Sequence, residues 1–309
     1  MASPNTLTNT AVDLMGAQVL DAFTAKIAPI FAFATNFSAD ATDRGSAVQV
    51  LTIPATTAPI TFVEGTGYTV QAGNFTGVDI TLNKREFVYA TLSTAEMRNN
   101  PQVALDRLAT QKGFQLAKAF LQKASVGVWT AITNANFGAA AVSGIPTLFD
   151  VDDVATMRSA AQAADWPDDD RYLILNSALM TNLLINDGGQ GVVTLVNASH
   201  AGSSAPLEDG TIKKLLGFQL IESTLIPANG ENLIGFSANP NAIAVAMRVL
   251  VPDDISNIIR FQSFQHESGI SIAFREWFDA GLDRRVAVWE VNYGWAVTNA
   301  AAIDRIVSA

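Results

Sequence analysis

From Gly45 to Val78 the chain carries one charged residue, Glu64. That stretch constrains the fold more than any other feature. It is punctuated by Pro54, Pro59, Gly65, Gly67, Gly73 and Gly77, and it sits between two alternating runs. Val48, Val50 and Thr52 alternate with polar or small neighbours, and Val78, Ile80 and Leu82 alternate with Asp79, Thr81 and Asn83. A period of two on both sides of turn residues predicts a long β-hairpin excursion. Solvated hairpins normally carry charges that prevent edge pairing. A hairpin without them is either buried within its own domain or laid on a neighbour, and loops of this length are usually functional.

The residues after Leu92 predict a long helix and then a mixed region. Ser93 and Glu96 have capping-box spacing, and Pro101 suits the first turn of a helix. Leu105, Leu108, Leu116, Phe120, Ala124 and Val128 recur on one helical face, with Arg107, Lys112, Lys118 and Lys123 along it. The result is an amphipathic rod of about 45 Å, long enough to serve as a spine. Asp150 and Asp153 open a helix that runs to about Ala163, Tyr172–Leu175 reads as a buried strand, and Ser177 caps a helix to about Asn186. Residues 187–209 are Gly/Ser-rich. Phe218–Glu222 and Asn232–Phe236 read as strands, and Asn239–Met247 as a short helix. Ile270, Ile272 and Phe274 alternate, a turn comes next at Ala280–Asp283, and Ala287, Trp289, Val291, Tyr293 and Trp295 form one apolar face. The spine is the natural partner for that face. Upstream, residues 11–33 read as a short helical or irregular arm.

The inventory for chemistry is thin. There is no Cys, which removes disulfides and thiolate sites. The two histidines, His200 in a Gly/Ser loop and His266 between apolar runs, fit neither a hydrolase triad nor a zinc helix. Asp168–Asp170 reads as a solvated acidic turn, because it lacks the spacing of a calcium loop. Gly188, Gly189 and Gly191 lack the Lys and Ser/Thr of a phosphate loop. Charged residues make up only 16% of the 309, with a net charge of −10; that sign gives no general grip on nucleic acid or anionic membrane. No signal peptide and no spanning segment is legible. Catalytic, cofactor and metal sites are therefore expected to be absent, and the parts are those of a building block.

The ordered set of arm, uncharged hairpin, spine helix, α+β module and closing strands resembles the major capsid proteins of tailed bacteriophages, over nearly the whole chain. The segment Val78–Ala90 is similar to the strand that leads out of the family's extended loop, and residues 93–132 to its spine. The resemblance implies an α+β fold in five parts. These are an N-terminal arm (1–44), an extended β-hairpin loop (45–83), a peripheral domain with the spine (84–145), an axial α+β domain (146–248), and peripheral strands with the C-terminus (249–309). It implies a non-enzymatic subunit that assembles through pentamers and hexamers into an icosahedral virion shell around phage double-stranded DNA, built in the host cytoplasm. The implied partners are further copies of the chain, a separate scaffolding protein, a portal protein and a decoration protein; no cofactor and no membrane is implied. Candidate contacts on a neighbour are Ile53, Ile60, Phe62 and Tyr68 from the hairpin, with Phe23 and Phe31 from the arm; burial within the same subunit is the alternative for each. Residues 52–78 contain no Lys, and the nearest is Lys84, so the Lys–Asn cross-link of some family members is not expected. Two other readings stay open: an encapsulin-type shell with the same fold, and an α+β enzyme or binding protein of another kind.

Overall fold

The computed structural model describes residues 19–21, 23–25, 27–38, 47–52, 62, 64, 76–93, 115, 118–119, 122–123, 125–185, 214–226, 229–252, 258–266 and 269–309. The hairpin between 52 and 76 (Phe62 and Glu64 apart), most of the spine including Glu96 and Pro101, and the Gly/Ser-rich stretch with His200 lie outside these residues.

Two six-stranded sheets organise the described chain. The first joins β1 (Ala34–Asn36), β4 (Lys84–Ser93), β10 (Ile243–Arg248), β11 (Arg260–Gln265), β12 (Ser271–Asp279) and β13 (Arg284–Val297). Its hub is β13. Strand β4 pairs with residues 284–293, β12 with 284–290 and β10 with 292–297. A strand has two edges, and β4 overlaps the spans of both other partners. So β4 takes one edge, while β12 and β10 share the other end to end. The second sheet runs β5 (Val142–Gly144), β14 (Ile303–Ser308), β9 (Leu233–Ala238), β6 (Tyr172–Leu175), β8 (Phe218–Glu222) and β7 (Lys214–Leu215). The pair β2 (Ala47–Thr52) and β3 (Thr76–Thr81) forms the root of the predicted hairpin, with Val48 opposite Ile80 and Val50 opposite Val78.

The second sheet is covered on both faces, which explains its near-continuous apolar strands. Leu173 and Leu175 point to the helices α1 (Val151–Ala163) and α2 (Ser177–Ile185), where they meet Val154, Met157, Leu179 and Leu183. Ile174 and Phe236 point the other way, into a larger core shared with the first sheet. At its centre Phe33, Trp129 and Phe236 meet edge to face, with centroids 5.2–6.2 Å apart, the arrangement that the aromatic quadrupole favours. Trp129 belongs to the helical residues 125–129. The expected contact between the β13 aromatic face and the spine is therefore present at the described end of the spine: Trp289, Val291 and Tyr293 share a core with Val128, Trp129 and Ile132. A Cβ at Gly127 would overlap the Tyr293 hydroxyl, so that glycine lets helix and sheet approach.

Several local expectations need correction. Asn239–Met247 is not a helix: residues 243–248 form β10, a strand buried on both faces, so its apolar run shows no polar face. The cap of α2 is Asn176, whose Oδ1 accepts the Leu179 N–H at 2.9 Å, rather than Ser177. By contrast, Asp150 and Asp153 open the expected helix, and they do so through a reciprocal capping box.

Candidate functional site

Among the described residues, the Asp168–Asp170 turn and His266 are the candidates for chemistry. The Asp168–Asp170 turn links α1 to β6 and is tied by the buried Arg171, whose guanidinium donates to the Pro167 carbonyl at 2.7 Å and pairs with Asp168 at 3.0 Å. His266 closes the β11–β12 turn, its backbone N–H donating to the Ile270 carbonyl at 2.8 Å. Among the described residues no three His, Asp or Glu converge as a metal site, and no helix is long and apolar enough to cross a membrane.

The distinctive feature is a surface, the face of the first sheet that points away from the core. One half is covered by the chain's own hairpin root. Val48, Val50, Ile80 and Leu82 pack there on Ala244 and Ala246 of β10, with Ala296 of β13 alongside. These small residues, with Gly294 between them in register, let the hairpin lie close. A Cβ at Gly294 would overlap the Thr81 carbonyl. The other half of the same face is open. Register places Phe87 opposite Glu290 and Tyr89 opposite Val288, with Arg275 opposite Val288 and Trp277 opposite Val286 on the far side. Phe87 and Tyr89 are 60% and 61% exposed. Phe87 lines a shallow cleft with Arg85, Arg275, Trp277, Val288 and Glu290.

At the floor of that cleft the buried Glu290 carboxylate is held between two arginines. Arg85 Nε donates to Oε2 at 3.1 Å, and Arg275 pairs with Oε1. Arg85 is half exposed and Arg275 mostly buried, and Arg275 Nε has no partner among the described residues. Two guanidiniums against one carboxylate leave the cleft with a surplus positive charge. The opposite, core-facing side of β4 is different. Lys84 lies over the Trp295 ring at 4.2 Å, and burial lowers its pKa while Glu86 partly restores it. Tyr293 beside it is pushed up to about 12 by burial and by Glu86. Lys123 on the spine pairs with Glu86 at 2.8 Å.

The predicted contact residues fall into three groups. Ile53, Ile60 and Tyr68 lie outside the described residues. Phe62 is described and is 56% exposed. From the arm, Phe23 is fully buried in the chain's own core, which is its same-subunit alternative, and Phe31 is half-buried against that core. Sequence reading misses Phe87 and Tyr89. Their signal is that Phe87 and Tyr89 share one face of the strand while Val88 on the other face packs on the core, so apolar groups occupy both faces.

Comparison with known proteins agrees with this architecture. The family model described as phage capsid protein matches residues 90–299. Among curated proteins nothing matches. A structure titled as the asymmetric unit of the bacteriophage PhiM1 mature capsid is 11% identical, with a TM-score of 0.62 over 90% of this chain and 86% of that one. A structure from Mycobacterium phage Che8 is 17% identical, with a TM-score of 0.59 over 86% and 85%. The capsid of an empty GTA particle is 15% identical, with a TM-score of 0.56 over 93% and 90%. The fold is thus the α+β fold of tailed-phage major capsid proteins.

Proposed function

The chain belongs to the phage capsid protein family and is a structural capsid subunit, and from that premise we propose how it builds a shell. Copies assemble through pentamers and hexamers into an icosahedral particle that encloses double-stranded DNA, inside the host cytoplasm. A separate scaffolding protein directs the assembly, a portal occupies one vertex, and a decoration protein is a further partner. The five parts divide at 44/45, 83/84, 145/146 and 248/249. The subunit acts by packing and not by catalysis.

The observation that supports this reading best is the division of labour within the hairpin. Its root is seated on the chain's own sheet through Val48, Val50, Ile80 and Leu82. The 23 residues 53–75 hold one charge and the apolar side chains Ile53, Ile60, Phe62 and Tyr68. An apolar segment of that kind gains stability by covering protein surface rather than by meeting water. Laid on a neighbour, its aliphatic and aromatic groups are the sort that dominate interface energetics. Arm residues such as Phe31 add to the contact. With no Lys between 52 and 78, and Lys84 held over Trp295 in its own subunit, no Lys–Asn cross-link forms.

The test is to purify particles from an infected or expressing host and identify their contents. Nuclease-protected double-stranded DNA inside closed shells agrees with the proposal. Shells that carry a protein cargo and no DNA would instead favour an encapsulin-type container.

A further inference from the structure

The two ends of the helix-covered sheet differ in kind. At one end β5, the short turn Pro146–Leu148 and the start of α1 enclose a slot of about 160 Å³, a volume that holds a benzene-sized group. At the other end the two-residue turn between β7 and β8 carries Leu216, close to Lys214. We propose that Leu216 of one copy enters the slot of a second copy, with Lys214 set against the carboxylates of Asp150 and Asp153. The inference rests on the capsid reading, because it needs copies side by side.

Four observations carry it. First, the slot is apolar and held open. Val142, Leu148, Phe149, Leu179 and Ile306 line it together with Asp153, and Asn182 Nδ2 fixes its lip by donating to the Pro146 carbonyl at 2.8 Å. Leu148 is nonetheless 66% exposed. Second, the opposite tip is strained. Leu216 has φ +47° and Gly217 φ +92°, a geometry that suits Asn-Gly and that a leucine adopts only under constraint. Strain of this kind points to a position in use. Leu216 is half-buried against its own helix-covered core, and the rest of its side chain meets solvent. Third, the charges match. Lys214 is exposed and has no ion pair among the described residues. Burial raises the Asp153 carboxyl, the Asp150 N–H opposes that, and the charges of Asp150 and Asp152 add to it; a cation at the slot offsets the repulsion. Fourth, one copy cannot make the contact alone. β5 and β7 stand at opposite ends of six strands, about 24 Å apart at the spacing of a sheet. The contact is therefore heterologous, the kind that closes into rings.

The chain has no cysteine, so an introduced pair reports this contact alone. The double variant Leu216→Cys with Leu148→Cys is assembled into shells, oxidised and run on a denaturing gel without reductant. Ladders of two to many subunits are expected. Each single variant should give no ladder, and a mixture of the two single variants should give linked pairs. Normal shells whose subunits run as monomers on that gel would overturn the seat and leave the capsid reading intact. A wild-type chain that never forms shells would overturn both. A further variant separates docking from folding and decides the matter should the cysteine chains fail to fold. Leu216→Asn suits the turn, so its free subunit should unfold in urea no earlier than the wild type, yet it should need a several-fold higher concentration to assemble. Assembly at the wild-type concentration contradicts the proposal.

Discussion

Gly294 marks the point where the hairpin root touches the sheet, and no side chain fits there without moving the Thr81 backbone. Gly294→Ala should destabilise the free subunit by about 1–3 kcal/mol, the range for overpacking a filled site, read as a lower midpoint in urea. Glu290 is more exacting. Its removal leaves Arg275 mostly buried without its carboxylate, so Glu290→Ala should cost about 3–5 kcal/mol. Arg85→Ala removes a half-exposed partner and should cost about 1 kcal/mol or less; equal losses in the two variants would contradict this account of the cleft. Asp304 gives a pH signature. Burial raises its carboxyl to about 6, and its Oδ2 has no partner among the described residues. An unfolded Asp titrates near 3.9, so the folded state favours the protonated form. The penalty is absent below about pH 4, grows as pH rises from about 4 to about 6, and is constant above that. Asp304→Asn should therefore stabilise the subunit at pH 7.5 by about 1–2 kcal/mol, after discounting for partial exposure, and leave it unchanged at pH 4. A gain of the same size at both values would show that titration is not the cause.

Among the elements, α1 carries the plainest test. Asp150 accepts the N–H groups of Asp152 and Asp153 at 2.9 and 3.3 Å, and Asp153 returns the bond. Asp150→Ala should cost about 1 kcal/mol, measurable by thermal unfolding. That helix is legible in the sequence because its cap is local chemistry. So are β6, β8 and the β12–β13 hairpin, whose apolar runs or alternation end at turn residues. The elements that the sequence hides do so for physical reasons. In β10 the run Ala242–Met247 is buried throughout, so no polar residue breaks it and its alanines suggest a helix. In β14 Ile303 faces the large core and Ile306 the helix-covered one. Their three-residue spacing imitates a helix across a register shift next to Ile306. In β11 Phe261 and Phe264 fall on opposite faces, which hides the period of two. The charge deficit of the hairpin is readable, since it depends on composition alone. The open sheet face is not, because Phe87, Arg275 and Glu290 come from three strands that only the fold brings together.

At the scale of the whole molecule, the architecture divides into a part that is finished and a part that is not. The shared core, the helix-covered sheet and the hairpin root bury their apolar groups within one chain. Phe62, Phe87 and Tyr89 remain exposed, and the low charge of the hairpin gives it little reason to stay in water. A subunit built this way is completed by copies of itself, which agrees with its family and with the capsid structures it resembles. The shell-forming claim is tested most directly by electron microscopy of the purified chain, with size-exclusion chromatography beside it, alone and with the proposed scaffolding protein added. Closed icosahedral particles, with pentamers and hexamers of the 32.8 kDa chain as intermediates, are the predicted result. A chain that stays monomeric with the scaffold present, across salt concentration and crowding, would contradict it.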